Sequence, residues 1–573
     1  MHRKWSLSMF LIVTLACQPT RPTLPPADSD NGGLSLPGGF SALVVIDSLK
    51  GRARQLTVNS NGDVYVKLRF GDEQGGNAAL RDTTGDGKAD IVQHFGQYEG
   101  RSYGTEMMIH DGYLYFSSEL EVMRIKLDDH LIPKGEIEKI VIDDHEHGMH
   151  EHIAKPLAFD REGHMYVPYG APSNACQEPK RTPGAPGQDP CPQLEQHGGV
   201  WQFDANKIGQ TQKDGKLYTS GIRSVVAMDW NTADDNLYIV IHGRDDLLRL
   251  FSNVFSPWQS AIFPSEEFVR AVEGSNFGWP YCYYDQEVNK KVLAPEYGGD
   301  GDSVGRCADY DPPLIGFPGH WAPNELLFYR GEMFPERYKN GAFIAFHGST
   351  NRAPYPQAGY IIVFVPFEKG EPSGDWEVFA DGFAGVDPIV NVSDAHYRPM
   401  GLAEGPDGSL YISDTEKGKI WRVMYTGDKD TFGADQLAGM EAHKQLSHIR
   451  TPDVANDNLQ KENTAGGEYL YYIYCGACHQ GNGKGASGRF PPLANSEWVT
   501  GDKERLINTV LKGLEGPIEV NGESYNSIMP QHSFLNDKQV SAVLTYIRQN
   551  FGNEADGISE EEVRAIREQP KEP

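Results

Sequence analysis

The sequence predicts a multidomain chain in which an all-β, six-bladed β-propeller is followed by a small all-α domain. Two observations carry that prediction. Between residues 38 and 425 one pattern recurs: a short apolar run, a tight Asn-Gly, Asp-Gly or Glu-Gly turn, then a strand alternating aromatic and β-branched residues. Beyond about residue 468 the apolar period changes from strand-like to helical. With 573 residues, 39% of them hydrophobic, the chain has material for two or three cored domains.

The hairpins are read at 55–66, 107–116, 157–167, 227–241 and 401–421. The first contains L-T-V-N-S-N-G-D-V-Y-V and the last L-A-E-G-P-D-G-S-L-Y-I-S-D. So long a succession of hairpins fits a propeller, whose blades leave only short edges, better than one sandwich. Residues 426–467 read as a helical linker, with Leu437, Met440, Leu446 and Ile449 as its apolar face. In the last segment, Leu506, Ile507, Val510, Leu511 and Leu514 share one helical face. Val540, Val543, Leu544, Ile547 and Phe551 share another, behind a cap at Asn536 with Gln539 three residues on.

Composition narrows the partners. There are 52 Lys and Arg against 80 Asp and Glu, a net charge of −28. Such a surface repels nucleic acid and anionic lipid, and is highly soluble. The N-terminus has a basic start (His2, Arg3, Lys4) and an apolar run ending at Leu15-Ala16-Cys17. That run is too short to span a bilayer, which needs roughly 20 residues, and it reads as an export signal over 1–17 with Cys17 as a lipidation site. The expected location is a bacterial periplasm or a lipid-anchored position on the outer membrane. A Pro-rich linker, 18–37, follows.

Of seven cysteines, four remain once Cys17, Cys475 and Cys478 are set aside. In an oxidising compartment an even remainder predicts disulfides. Cys176–Cys191 and Cys282–Cys307 are the simplest of three connectivities, and the sequence does not choose between them.

Cys475-Gly-Ala-Cys478-His479 carries the most specific chemistry. Two thiols one helical turn apart meet two vinyl groups of a porphyrin, and the adjacent His turns its imidazole to the iron. A zinc knuckle would need further ligands at matching spacing, and none follows closely. Met529, in N-S-I-M-P before the last helix, is the predicted second axial ligand. Residues 468–552 therefore read as a class I cytochrome c domain holding covalent haem c, with 553–573 as a C-terminal tail.

Further segments carry a resemblance. L-R-D-T-T-G-D-G-K-A-D at 80–90, H-G-R-D-D at 242–246, E-G-S-N-F-G-W-P-Y-C-Y at 273–283, A-F-H-G-S-T-N-R at 345–352 and Y-R-P-M-G-L-A-E-G-P-D-G-S-L-Y-I-S-D at 397–414 resemble the glucose/sorbosone dehydrogenase family. The resemblance covers nearly all of 38–425. It implies a six-bladed propeller that oxidises an aldose at its anomeric carbon with pyrroloquinoline quinone and Ca²⁺. By it, Arg223 lies beside the reactive carbonyl, and Arg352 and Arg398 hold cofactor carboxylates. Backbone carbonyls of Gly243 and Arg244 ligate Ca²⁺, and His152 is the general base. The chain departs from the family at Ser224, where Asn is usual, and at Lys155, where Arg is common.

Two further clusters compete for a metal. His145, His147, His150 and His152, with Glu146 and Glu151, offer donors for Zn²⁺ or Cu²⁺. Asp82, Asp86 and Asp90 have Ca²⁺-loop-like spacing, though a plain Asp-Gly turn accounts for them equally. The expected function is a quinohaemoprotein oxidoreductase that passes electrons from sugar to haem and on to an external acceptor, such as another cytochrome or a quinone. The alternative is a propeller without quinone that binds a carbohydrate or protein and carries an electron-transfer cytochrome.

Overall fold

The computed structural model describes residues 24–72, 75–97, 105–145, 152–449 and 466–569. Cys17, the signal segment, His147 and His150 lie outside the described residues.

Six four-stranded antiparallel sheets form the propeller. The first strands of the blades are Ala53–Val58, Met107–His110, Ala158–Phe159, Val225–Asn231, Pro323–Phe328 and Pro399–Glu404. Several of these first strands pack on those of neighbouring blades, forming the inner wall. Blade 6 is completed by the N-terminal strand Phe40–Ile46, antiparallel to Ile420–Tyr425 with Phe40 opposite Tyr425. This closure joins the two ends of the propeller in one blade and so ties the ring together.

The recurrent turn has a simple backbone cause. In P-D-G-S at 406–409, Gly408 sits at φ +85°, where a side chain would be strained, and Gly405 N donates to Ser409 O at 2.7 Å. Between blades the faces are apolar and aromatic. Phe40, Phe334, Tyr338, Phe343, Phe364 and Phe379 form one cluster, with Tyr338 and Phe379 rings 5.7 Å apart. Each fully buried ring of this kind contributes about 2–3 kcal/mol.

Residues 24–37, read from sequence as part of a Pro-rich linker, instead pack on the propeller. Leu34 is buried, Asp28 accepts from Val44 N at 2.7 Å, and Ser35 pairs with Asp381. Cys176 is bonded to Cys191 and Cys282 to Cys307, joining two loops beside Trp279 and Tyr281.

After the propeller, helix Ala434–Lys444 lies against the outer strand of blade 5, Glu377–Ala380. Met440 and Ile449 are buried as the linker's apolar face requires, whereas Leu446 is exposed. The last domain is helical. Helix Gly467–Tyr474 crosses helix Asp537–Gln549 so closely that a Cβ on Gly467 would lie 2.1 Å from the carbonyl oxygen of Ala542. The Asn536–Gln539 capping box starts the second of these helices. Residues 553–569 are not a loose tail. Helix Glu560–Arg567, capped by Ser559 and Glu562, buries Val563 and Ile566, and Arg567 pairs with Asp537 at 2.7 Å.

Candidate functional site

The propeller topology gathers the chemistry at one pole. In an antiparallel blade the first strand starts, and the second strand ends, on the same side. His152 and Arg223 precede the first strands of blades 3 and 4, and Arg398 precedes that of blade 6. His242 and His347 directly follow the second strands of blades 4 and 5. One ring of residues results, drawn from segments hundreds of residues apart.

Asp245 is the centre of this ring. It accepts from Arg223 at 2.6 Å, Asn351 at 2.7 Å and Arg181 at 3.3 Å, and Asn174 bonds its backbone. Burial opposes its ionisation, but Arg223 foremost holds its carboxyl below the usual carboxylate range. His152 stands alongside. Its Nδ1 donates to the carbonyl of Ala171 at 2.6 Å, which leaves Nε2 as the lone-pair nitrogen. Burial, and then the nearby Arg223 cation, push its pKa down to about 3, so the ring stays neutral. Gly170 is required here, because a Cβ would lie 2.2 Å from His152 O.

Arg398 belongs to a second part of the same pole. Its Nη2 reaches Gly348 O at 2.6 Å and His347 Nδ1 at 2.8 Å, so the His347 proton sits on Nε2, which is buried without a partner. Arg54 and Arg69 add cationic charge, and Glu416 is an acid shared by Arg52, Arg69 and Arg398. Burial and this crowding of cations push Lys67 down to about 7 and Arg54 down to about 10. Nε of Arg54, Nε of Arg223 and Nη2 of Arg244 are buried donors without partners. Such a group suits an anion with several carboxylates.

Two expected site residues are placed differently. The Gly243 carbonyl accepts from Arg223 at 2.7 Å, so that oxygen is already engaged. Arg352 is fully buried and gives its guanidinium to the carbonyls of Pro356 at 3.0 Å and Ala261 at 2.9 Å. It ties two loops together. Lys155 is bonded to Asp143 at 2.5 Å, and His145 to the same carboxylate at 2.8 Å. In the 82–90 loop, Asp82 accepts the backbone N–H groups of Thr84, Gly85 and Gly87, as an Asp-Gly turn requires.

In the C-terminal domain, Cys475, Cys478, His479 and Met529 line one cleft with Pro491, enclosing about 1040 Å³ with its open mouth included. Neither cysteine is taken up in a disulfide, as thioether attachment to haem needs. His479 Nδ1 donates to Pro491 O at 2.9 Å, so Nε2 is the nitrogen left for iron. Met529 is held by two backbone bonds with Leu514, at 2.9 and 3.0 Å. His532 also borders the cleft, but its nitrogens face the carbonyls of Pro530 at 2.8 Å and Tyr474 at 3.3 Å. It is therefore no rival to Met529. The residues fit a haem with His and Met axial ligands.

This domain sits on the polar ring's own pole. Tyr355, from the loop after the second strand of blade 5, stacks on Phe534 at 4.8 Å and meets Tyr474 edge-on at 6.3 Å. Trp258, from the corresponding loop of blade 4, packs on Tyr355 at 5.3 Å. Tyr474 immediately precedes Cys475 and lines the haem cleft with Pro354. Polar contacts flank the patch: Tyr472 donates to Asp394 at 3.3 Å, and Ser252 to Glu515. The loops tied by Arg352 are the ones that carry Tyr355 and Trp258.

Sequence reasoning missed Asp245 as the hub, although H-G-R-D-D contains it, and missed Arg54 and Tyr355. Asp245 could have been found as the only acid next to the proposed carbonyl ligands besides Asp246. Tyr355 gives no local signal.

Fold and site together define a six-bladed propeller with a cytochrome domain seated on the pole that gathers the charged ring. Residues 34–426 match the TrAA12-like family, and the chain belongs to that family. Residues 465–551 match cytochrome c, so the domain carries haem c. The chain is 43% identical to cytochrome c-552 of Thermus thermophilus over 14% of its own length and 66% of that protein. The Trichoderma reesei family AA12 enzyme in its calcium structure superposes with a TM-score of 0.55 at 18% identity, covering 69% of this chain and 97% of that one. The holo pyranose dehydrogenase PQQ domain of Coprinopsis cinerea gives 0.54 at 17% identity, over 71% and 99%. At these identities the likeness is one of fold. The chain spans 50% of a Borreliella burgdorferi relative and 66% or less of the cytochromes it matches. Among the described residues no helix is long and apolar enough to cross a membrane.

Proposed function

We propose that this protein is an exported quinohaemoprotein dehydrogenase that oxidises an aldose or related pyranose at its anomeric carbon and passes the electrons to its own haem. The observation that supports this best is the shared pole. The neutral His152 base, the anion-seeking arginines and the haem cleft all belong to one face of the propeller. When bound, pyrroloquinoline quinone supplies the hydride acceptor.

The chain's own residues have defined tasks. His152 Nε2 takes the proton of the anomeric hydroxyl, while Ala171 O holds the ring in the tautomer that leaves Nε2 able to do so. Arg223 contributes a cation beside that base, and Arg54, Arg69 and Arg398 bind carboxylates. Gly243 O and the Asp245 carboxylate, both bonded by Arg223 here, are the oxygens that would hold Ca²⁺, which would polarise the acceptor's carbonyl. His479 and Met529 hold the haem iron. A fused acceptor works at high effective concentration, which is the advantage of carrying it on the same chain. A lipid at Cys17 would keep the protein at a membrane surface, and a soluble cytochrome or membrane quinone would drain the haem.

The engagement of Gly243 O by Arg223 supports a second reading, a carbohydrate- or protein-binding propeller without quinone. One experiment separates them. The haem-loaded protein is mixed with pyrroloquinoline quinone, Ca²⁺ and a panel of aldoses while the haem absorption bands are followed. Haem reduction that needs both quinone and sugar supports the dehydrogenase. Failure of the protein to bind quinone, with a haem that dithionite still reduces, supports the binding propeller.

A further inference from the structure

A site unrelated to the pole lies where the chain leaves the propeller. Asp381 follows the outer strand of blade 5 and is pinned at its backbone by two bonds to Ser35, at 2.9 and 3.1 Å. Its Oδ1 accepts from Gly382 N at 2.6 Å, which fixes the carboxylate plane. Its Oδ2 then faces two imidazoles. His443 Nε2, from the last turn of helix Ala434–Lys444, lies 2.7 Å away, and His448 Nε2, from the turn Ser447–Ile449, lies 2.5 Å away. One donor atom of each of the three residues lies within 4.8 Å of the others, and among the described residues no other cluster of His, Cys, Asp and Glu does this.

The arrangement is a ligand set rather than a simple cap. One imidazole suffices to satisfy a carboxylate oxygen, and here two approach the same atom from separate turns. Two imidazole nitrogens with one carboxylate suit a borderline divalent ion such as Zn²⁺ or Cu²⁺ and leave a position for water. The site is reachable: the Asp381 side chain is 9% exposed, while those of His443 and His448 are 23% and 32% exposed. A depression of about 730 Å³, open to solvent and lined by Ser35, Gly38, Met440 and His443, leads to it. Buried Met440 and Ile449 bracket the two histidines and hold their backbone in place.

We propose that Asp381, His443 and His448 bind a divalent transition-metal ion of the zinc or copper class through Oδ2 and the two Nε2 atoms. Coordination through Nε2 requires each imidazole to carry its proton on Nδ1, and the three metal–ligand bonds replace the two hydrogen bonds to Oδ2. The ion staples the outgoing helix to blade 5 and so fixes the point from which the chain runs on to the cytochrome. This proposal does not depend on the quinone reading.

The test uses the full haem-loaded chain in a His147→Ala/His150→Ala background, which removes competing imidazoles of the 145–152 run. After chelator treatment, Zn²⁺ is titrated by calorimetry in excess Ca²⁺, and Cu²⁺ is read by electron paramagnetic resonance. The expected result is one site that His443→Ala and His448→Ala each weaken about 100-fold or more, with copper coupling to two nitrogens in the parent and one in either variant. Should a variant fold poorly, judged by its melting curve, Asp381→Asn and the parent's nitrogen count decide instead. Zinc affinity unchanged by these substitutions, or a copper spectrum without two nitrogens in the parent, overturns the proposal.

Discussion

Replacing Tyr355 by Ala should uncouple the two domains without damaging either. The Tyr355 side chain is 4% exposed, although it lies on a surface loop of the propeller, because the cytochrome covers it. The substitution removes its stack on Phe534 at 4.8 Å and its edge contact with Tyr474 at 6.3 Å. Truncating a central buried aromatic at an interface costs about 2–4 kcal/mol. Since ~1.4 kcal/mol is tenfold, the docked fraction relative to the open one should fall by a factor of roughly 30 to 1,000. The assay is rapid mixing of the quinone-loaded protein with sugar, following haem reduction and, separately, reduction of a dye that takes electrons from the propeller directly. Haem reduction should slow while dye reduction and the haem midpoint potential stay unchanged. Haem reduction at the parent rate would refute the idea that this contact carries the electrons.

The remaining predictions address single groups. His152→Ala should lower sugar turnover by about 10²–10⁴-fold, the usual worth of a positioned base, with the haem spectrum intact; parent-like turnover would remove His152 from that role. Met529→Ala should lower the haem potential, by about 59 mV for each ~1.4 kcal/mol of ferrous stabilisation lost, and spectroelectrochemistry reads the change. Glu266 gives a pH test. Burial raises its folded pKa to about 7, above the value for an exposed carboxyl, while Gly243 N and Ala322 N bond to it at 2.8 and 3.1 Å. The folded state thus binds the extra proton, and this contribution to stability is present at low pH and lost as pH rises from about 4.5 to about 7. Glu266→Gln abolishes that slope. Its stability deficit against the parent should shrink by about 3 kcal/mol between pH 5 and pH 8, measured from denaturant midpoints of the propeller transition, and a constant deficit would contradict the assignment.

Features encoded locally were the legible ones. Hairpins announce themselves through turn glycines and alternating strands, and the haem motif through five adjacent residues, so both domains could be read from the chain. Disulfides between sequence neighbours were the simplest option and are the ones formed. Positions set by distant backbone were harder. Arg352 looks like a carboxylate binder by motif, yet Ala261, 91 residues earlier, takes its guanidinium. The last helix was missed although Ser559 and Glu562 form a capping box ahead of Val563 and Ile566, because the charged run around them masks its short apolar stripe. The Asp381 cluster could not be foreseen, since its partners lie 62 and 67 residues downstream and no local spacing links them.

Docking of the cytochrome is off-centre. Its contacts come from the loops of blades 4, 5 and 6, through Ser252, Trp258, Tyr355 and Asp394, whereas His152 enters from the side of blade 3. The pole is therefore covered on one side and left free on the other: on the proposed function, sugar would enter over the blade 3 half and electrons would leave over the half the cytochrome covers.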